Sequence, residues 1–239
     1  MIRIMSFGAG VQTQAMLFTI GKKMDYIVFA DTGNEHQETY DYINNYSIPF
    51  CKINNIPFVR VYNKYGKTLY EYCWDKKIVP SIRFRDCTSK FKIAPIRKFI
   101  RKELLVDRKH PCQMFIGISY DEATRMNPSN VKYAINQYPL IDGFEDLLSP
   151  KITREDCKRI ILDLGFPLPP KSGCTFCPYA SPVDLLDERY RDKTIALEEN
   201  NSRFPELLLR GMQNRTKPIR ELLTSDEKHE TCGSGVCFN

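Results

Sequence analysis

The chain opens on an apolar stretch from Ile2 to Phe18 that breaks at Ser6, Gly8 and Gly10 and then resumes with helical spacing. This pattern predicts strand, tight loop and helix. From Gln14 to Lys23, the residues Ala15, Met16, Leu17, Phe18 and Ile20 predict a helix packed on a sheet, with Gly21 and two lysines as its stop. Tyr26 to Ala30 is a continuous β-rich run ending at Asp31-Thr32-Gly33-Asn34, and Glu35 to Tyr46 is helix-like. Strand and helix alternating at such short spacing imply a parallel sheet with crossover helices. Pro57 to Tyr62 and Met114 to Ile118 supply a third and a fourth strand, and the aromatic segment around Trp74 reads as irregular. Ile96, Phe99, Ile100 and Leu104 make the apolar face of a helix with Pro95 in its first turn. Thr153 is a good N-cap for a helix running through Leu164, which Gly165 closes. Pro167, Pro169 and Pro170 then mark a boundary, dividing residues 1–165 from a C-terminal subregion, 166–239.

Composition narrows the class. The 239 residues, 42% apolar and 12% aromatic, suffice for one α/β domain with an appendage. No apolar leader core with a cleavage site and no window able to span a bilayer are found, so a cytoplasmic protein with no membrane partner is expected. The net charge of +6 permits a polyanionic partner and equally suits an enzyme for phosphorylated small molecules. Nine cysteines, an odd number, point in a reducing compartment to metal binding or thiol chemistry rather than to a disulfide frame.

Three stretches carry candidate chemistry. In the first loop, Gly8 and Gly10 with Ser6 before and Thr13 after let the backbone approach an anion while a helix points its N–H groups at the same place; the plainer reading is an ordinary βα turn. Asp31 either orients a ribose or adenine group or caps the next helix. In Cys174-Thr-Phe-Cys177, two thiolates can face one ion. Between Arg83 and Lys98 the chain is dense in cations, of which Arg85, Lys90 and Lys92 are the candidate phosphate contacts and Arg101 and Lys102 read as a solvated helix face. Cys51, Cys73, Cys112 and Cys157 read as core residues.

Asp31-Thr32-Gly33 followed by Glu38-Thr39 resembles the second motif of the phosphoadenosine phosphosulfate (PAPS) reductase family, and Ser6-Phe7-Gly8 with Gln12 resembles that family's form of the PP-loop of the adenine nucleotide α-hydrolase superfamily. Cys87 with Lys92 and Pro95, Gly117 through Asp121 to Arg125, and Gly173-Cys174-x-x-Cys177 are similar to further segments of the family, in the same order. The resemblance implies a Rossmann-like open parallel sheet with helices on both faces, plus a small Cys-containing C-terminal subregion. It implies a nucleotide site of Ser6, Phe7, Gly8, Gly10, Gln12, Thr13, Asp31, Thr32, Gly33, Lys90, Lys92, Gly117, Asp121 and Arg125, with Arg125 as anion clamp; a structural Asp121–Arg125 pair is the alternative.

By the same resemblance Cys87, Cys174 and Cys177, with Cys237 as fourth, would hold a [4Fe-4S] cluster or, alternatively, Zn2+, and Cys232 would be the nucleophile. In the reductase version the thiolate attacks the sulfonate of PAPS or adenosine phosphosulfate (APS), and a thioredoxin-like dithiol releases sulfite. The rival is an ATP pyrophosphatase using Mg2+ to adenylate tRNA or DNA. A third reading is a zinc-stabilised, non-catalytic nucleotide- or nucleic-acid-binding module; nucleic acid is the less favoured partner. Two departures from the family bear on these alternatives. Val11-Gln12 stands where such pyrophosphatases usually place an aspartate, and Ser119 where the reductases often have arginine.

Overall fold

The computed structural model describes residues 1–82, 84–209 and 218–222. Cys232 and Cys237 lie outside them, as does Arg83. Strands β1 (Arg3–Phe7), β2 (Tyr26–Ala30), β3 (Phe58–Val61), β4 (Cys112–Ile116) and β5 (Ala134–Gln137) form one sheet in the order β3-β2-β1-β4-β5. Every pairing is parallel, with Ser6 opposite Val28 on one side and Ile116 on the other. The fold is thus the expected α/β class.

The central strands are predominantly apolar because helices cover both faces. Met5, Phe7, Ile27 and Phe29 face the helix Val11–Ile20 and the helix Arg154–Asp163, which contributes Cys157 and Ile161. Ile4, Val28 and Ala30 point the other way, onto Ile100 and the partly buried Ile96 and Phe99 of the helix Ala94–Lys102 and onto Leu104 just beyond it. A third apolar cluster joins Leu69, Cys73 and Phe91 to Cys174, Phe176, Leu185, Ile195 and Leu197. Residues after 165 therefore share a core with the segment following β3. Phe166 also stacks on Phe18, ring centroids 3.9 Å apart.

Three elements differ from expectation. The first helix begins at Val11 rather than Gln14, because Gly10 holds the extended N-cap conformation. The aromatic segment around Trp74 is a helix, Leu69–Lys76, started by a capping box in which Thr68 and Glu71 exchange hydrogen bonds. Ala134–Gln137, unassigned above, is the edge strand β5. Gln37 to Ile53 is one helical run through a π turn at Ile43–Ser47. Among the described residues no helix is long and apolar enough to cross a membrane.

Candidate functional site

In an open parallel sheet, ligands bind beyond the carboxyl ends of the strands where the strand order reverses. Here the reversal falls between β1 and β4. β1 leaves through Gly8-Ala9-Gly10, with Ala9 in the left-handed region at φ 60°. The ten-residue helix that follows has neither a side-chain cap nor an acidic residue in its first turn. Thr13 donates its hydroxyl back to the Gly10 carbonyl at 3.1 Å, so the N-terminal N–H groups keep their positive end toward the crevice. β4 leaves through Gly117, where a Cβ would stand 2.7 Å from Thr13 Cγ2 and 3.2 Å from its backbone nitrogen. A side chain there would force the helix and the strand apart.

These exits open on a cavity of about 550 Å³. Its wall includes Ser6, Phe7, Gly8, Gly10, Gln12, Thr13, Lys92, Gly117 and Arg125, nine of the residues predicted for nucleotide. Ile96, Ile100, Met114 and Ile116 give it an apolar side, while Lys92, Arg97, Arg125, Arg154 and Lys171 bring positive charge. Glu122 is the one carboxylate among the described lining residues. An amphipathic ligand with a flat apolar body and an anionic end matches this division.

Glu122 was not foreseen. Its Oε2 accepts the Gln12 amide at 3.3 Å and pairs with the Arg125 guanidinium. Gln12 also donates to the buried Ser119 hydroxyl at 3.4 Å. The partner of Arg125 is thus Glu122; Asp121 instead accepts the backbone N–H of Arg154 at 3.0 Å. Between Tyr120 and Arg125 the chain makes tight turns that kink at Glu122 instead of an α-helix, so the four-residue alignment of 121 with 125 does not form.

Asp31, Thr32, Gly33, Lys90 and Asp121 do not line the cavity. Asp31 is buried, its Oδ1 accepting the Gly33 N–H and the Tyr40 hydroxyl, each at 2.8 Å. Gly33 has φ 73°, and a Cβ there would meet Thr68 Cγ2 at 2.6 Å. Lys90 reaches Asp86 at 2.6 Å and the Tyr72 hydroxyl at 3.3 Å.

The Asp31 loop carries the cysteine knuckle. Glu35 and Cys174 form an antiparallel bridge, and Thr175 N–H donates to the Asn34 carbonyl at 2.9 Å. Cys174 Sγ lies 3.3 Å from Thr32 Oγ1 and 3.9 Å from Glu35 Oε1. Burial above all, then the Glu35 carboxylate, pushes this thiol well above its ordinary value, although Lys92 opposes them. Lys92 lies 3.4 Å from Glu35 Oε1 and also lines the cavity, linking the two regions. Cys87 and Cys177 join the same apolar cluster as Cys73 and Cys174. Among the described residues, however, no three His, Cys, Asp or Glu side chains are grouped so as to hold a metal ion. Cys237, the fourth thiol of the expected set, lies outside the described residues.

No family model matches the chain. Over 185 residues it is 24% identical to an uncharacterized protein of Methanocaldococcus jannaschii, a match covering 76% of this chain and 42% of that protein. The chain thus spans less than half the length of this relative. Among solved structures it is similar to the crystal structure of PAPS reductase from Candida auris in a phosphate complex, with 15% identity, a TM-score of 0.47, and coverage of 71% of this chain and 76% of that one.

Proposed function

We propose that the chain is a PAPS reductase-like enzyme that holds an adenylyl sulfate nucleotide in the crevice between β1 and β4. The observation that carries this reading is the convergence, in one cavity, of an uncapped helix N-terminus, the Arg125 fork and an apolar side formed by Ile96, Ile100 and Ile116. The base lies against the apolar side, and the anionic end faces the helix and Arg125. A guanidinium can grip two oxygens of a phosphate or sulfonate at once.

In the reaction a cysteine thiolate attacks the sulfonate sulfur, the S–O bond to the phosphate breaks, and the adenylate leaves with the electron pair. A dithiol then attacks the cysteine sulfur, becomes oxidised to a disulfide, and sulfite departs. Cys174 is poorly suited to start this step, since burial keeps it protonated. The nucleophile is assigned instead to Cys232, outside the described residues.

One observation favours a second reading, ATP cleavage with Mg2+. Glu122, held by Gln12, places a carboxylate beside the first loop, where the loop itself has none. The full chain, prepared without oxygen and given a dithiol, is offered PAPS, APS and ATP. Sulfite release abolished by Cys232→Ser supports the reductase; pyrophosphate release from ATP alone overturns it.

A further inference from the structure

Next to the nucleotide cavity lies a second depression of about 610 Å³, walled by Arg101, Arg108, Lys109 and Lys132. All four are exposed, and none has an acidic side chain within ion-pair distance among the described residues. Three separate pieces of chain bring them together. Arg101 comes from the helix Ala94–Lys102, its guanidinium held 5.4 Å over the Tyr133 ring. Arg108 and Lys109 sit at the tip of a turn that Asp107 closes by accepting the N–H groups of Lys109 and His110 at 2.8 and 2.7 Å. Lys132 stands just ahead of the edge strand β5. Asp107 is the one carboxylate in the described wall, and those bonds and His110 occupy it.

The trough does not end at its own rim. Asn130 and Val131 line both it and the nucleotide cavity, and Arg97, in the cavity wall, donates to Asn130 Oδ1. Four exposed cations around one depression, sharing Asn130 and Val131 with the wall of a nucleotide-sized cavity, suit a chain of phosphates. A flat lipid surface would meet a protruding face, and an isolated small anion would not need four cations spread over three segments. Lys98 and Lys102, exposed on the same helix, extend the positive field.

We propose that this trough binds the phosphodiester backbone of a single-stranded polynucleotide running toward the mouth of the nucleotide cavity. A single strand can turn its phosphates to the cations while its bases stay free to reach the nucleotide cavity, which a paired duplex does not allow. The inference rests on charge and concavity and does not depend on which nucleotide fills the cavity.

The test is fluorescence anisotropy of the full chain with labelled single-stranded RNA and DNA twenty-mers across a salt series. With four phosphate contacts, the logarithm of the affinity should fall against that of salt with a slope of about −3, and Arg101→Glu, Arg108→Glu, Lys109→Glu and Lys132→Glu combined should weaken binding by at least about tenfold at low salt. All four side chains are exposed, and circular dichroism and a melting curve confirm folding; the milder Arg108→Gln with Lys109→Gln should lose part of the affinity and of the slope. Adenine nucleotide binding in the cavity should stay unchanged. Absence of salt-dependent binding to either strand, or equal binding by the fourfold variant, overturns the proposal. So does tighter, equally charge-dependent binding to phosphatidylserine vesicles, which would assign the trough to a membrane surface.

Discussion

The amide of Gln12 and the carboxylate of Glu122 meet at 3.3 Å across the crevice between β1 and β4. The same carboxylate pairs with Arg125, so the cation proposed to hold the ligand's anion is partly neutralised before a ligand arrives. Replacing Glu122 by Gln removes that competitor. If the ligand is an adenylyl sulfate, Glu122→Gln should bind it more tightly, by about threefold to tenfold, since a charged hydrogen bond contributes about 1.5–3 kcal/mol and only part of it is released. Isothermal titration measures this. Loss of Mg2+-dependent ATP binding in the same variant would instead favour the pyrophosphatase reading.

Gly117 permits the close approach of β4 to the first helix. Gly117→Ala should cost about 1–3 kcal/mol of stability, because its methyl meets Thr13 backbone as well as side chain and neither can swing away. Urea unfolding reads the loss.

At Gly10 the obstacle is different: a Cβ would lie 2.9 Å from Ser172 Oγ, the free end of a short side chain. Gly10→Ala alone should lower both stability and nucleotide affinity, and adding Ser172→Ala should restore most of the stability. A double-mutant cycle by urea unfolding gives the coupling, expected at about 0.5–3 kcal/mol for groups in contact.

Asp31 satisfies two neighbours, the Gly33 N–H and the Tyr40 hydroxyl. Asp31→Ala leaves both donors without their acceptor in a buried setting and should destabilise the fold by about 1–3 kcal/mol for each donor left unsatisfied. If Asp31 also touched the nucleotide, affinity would fall even at temperatures where the variant is fully folded. The cavity wall predicts that it does not.

Burial pushes the thiols of Cys51, Cys73 and Cys157 up to about 12, from an ordinary value of 9.0, and Cys174 rises as well. In the unfolded chain these thiols lose protons from about pH 9 upward, while the folded chain keeps them. Their contribution to stability is present in full below pH 9 and declines as pH rises toward 12. Urea midpoints at pH 7.5 and pH 10.5 should therefore differ, the latter lower, and equal midpoints would contradict the burial of these side chains. At pH 7.5 all four should also resist alkylation in the native state.

Much of the fold could be read from the chain because the central strands are covered on both faces. Tyr26 to Ala30 is an unbroken apolar run and Ile4 to Phe7 is interrupted only by Ser6 for that reason, and the glycines at 10 and 117 mark where other atoms approach closely. The edge strand Ala134–Gln137 escaped notice since an edge needs little apolar content, and its Ile135 faces solvent. The helix Leu69–Lys76 mixes tyrosine, glutamate and tryptophan without a clean stripe, though its Thr68-x-x-Glu71 capping box was available as a signal. In the site, nine predicted residues converge on one cavity, whereas Glu122 could not be told from Asp121 by spacing alone. Helical spacing favours 121 with 125, and only the tighter local turn selects 122.

The most direct test of the nucleotide crevice is isothermal titration of the full chain with APS, PAPS and ATP, repeated with Arg125→Ala. The account predicts one site per chain for at least one of these nucleotides and a loss of about tenfold or more in the variant, as expected when a charged hydrogen bond to an anion is removed. No binding of any adenine nucleotide, or binding that Arg125→Ala leaves unchanged, would contradict it.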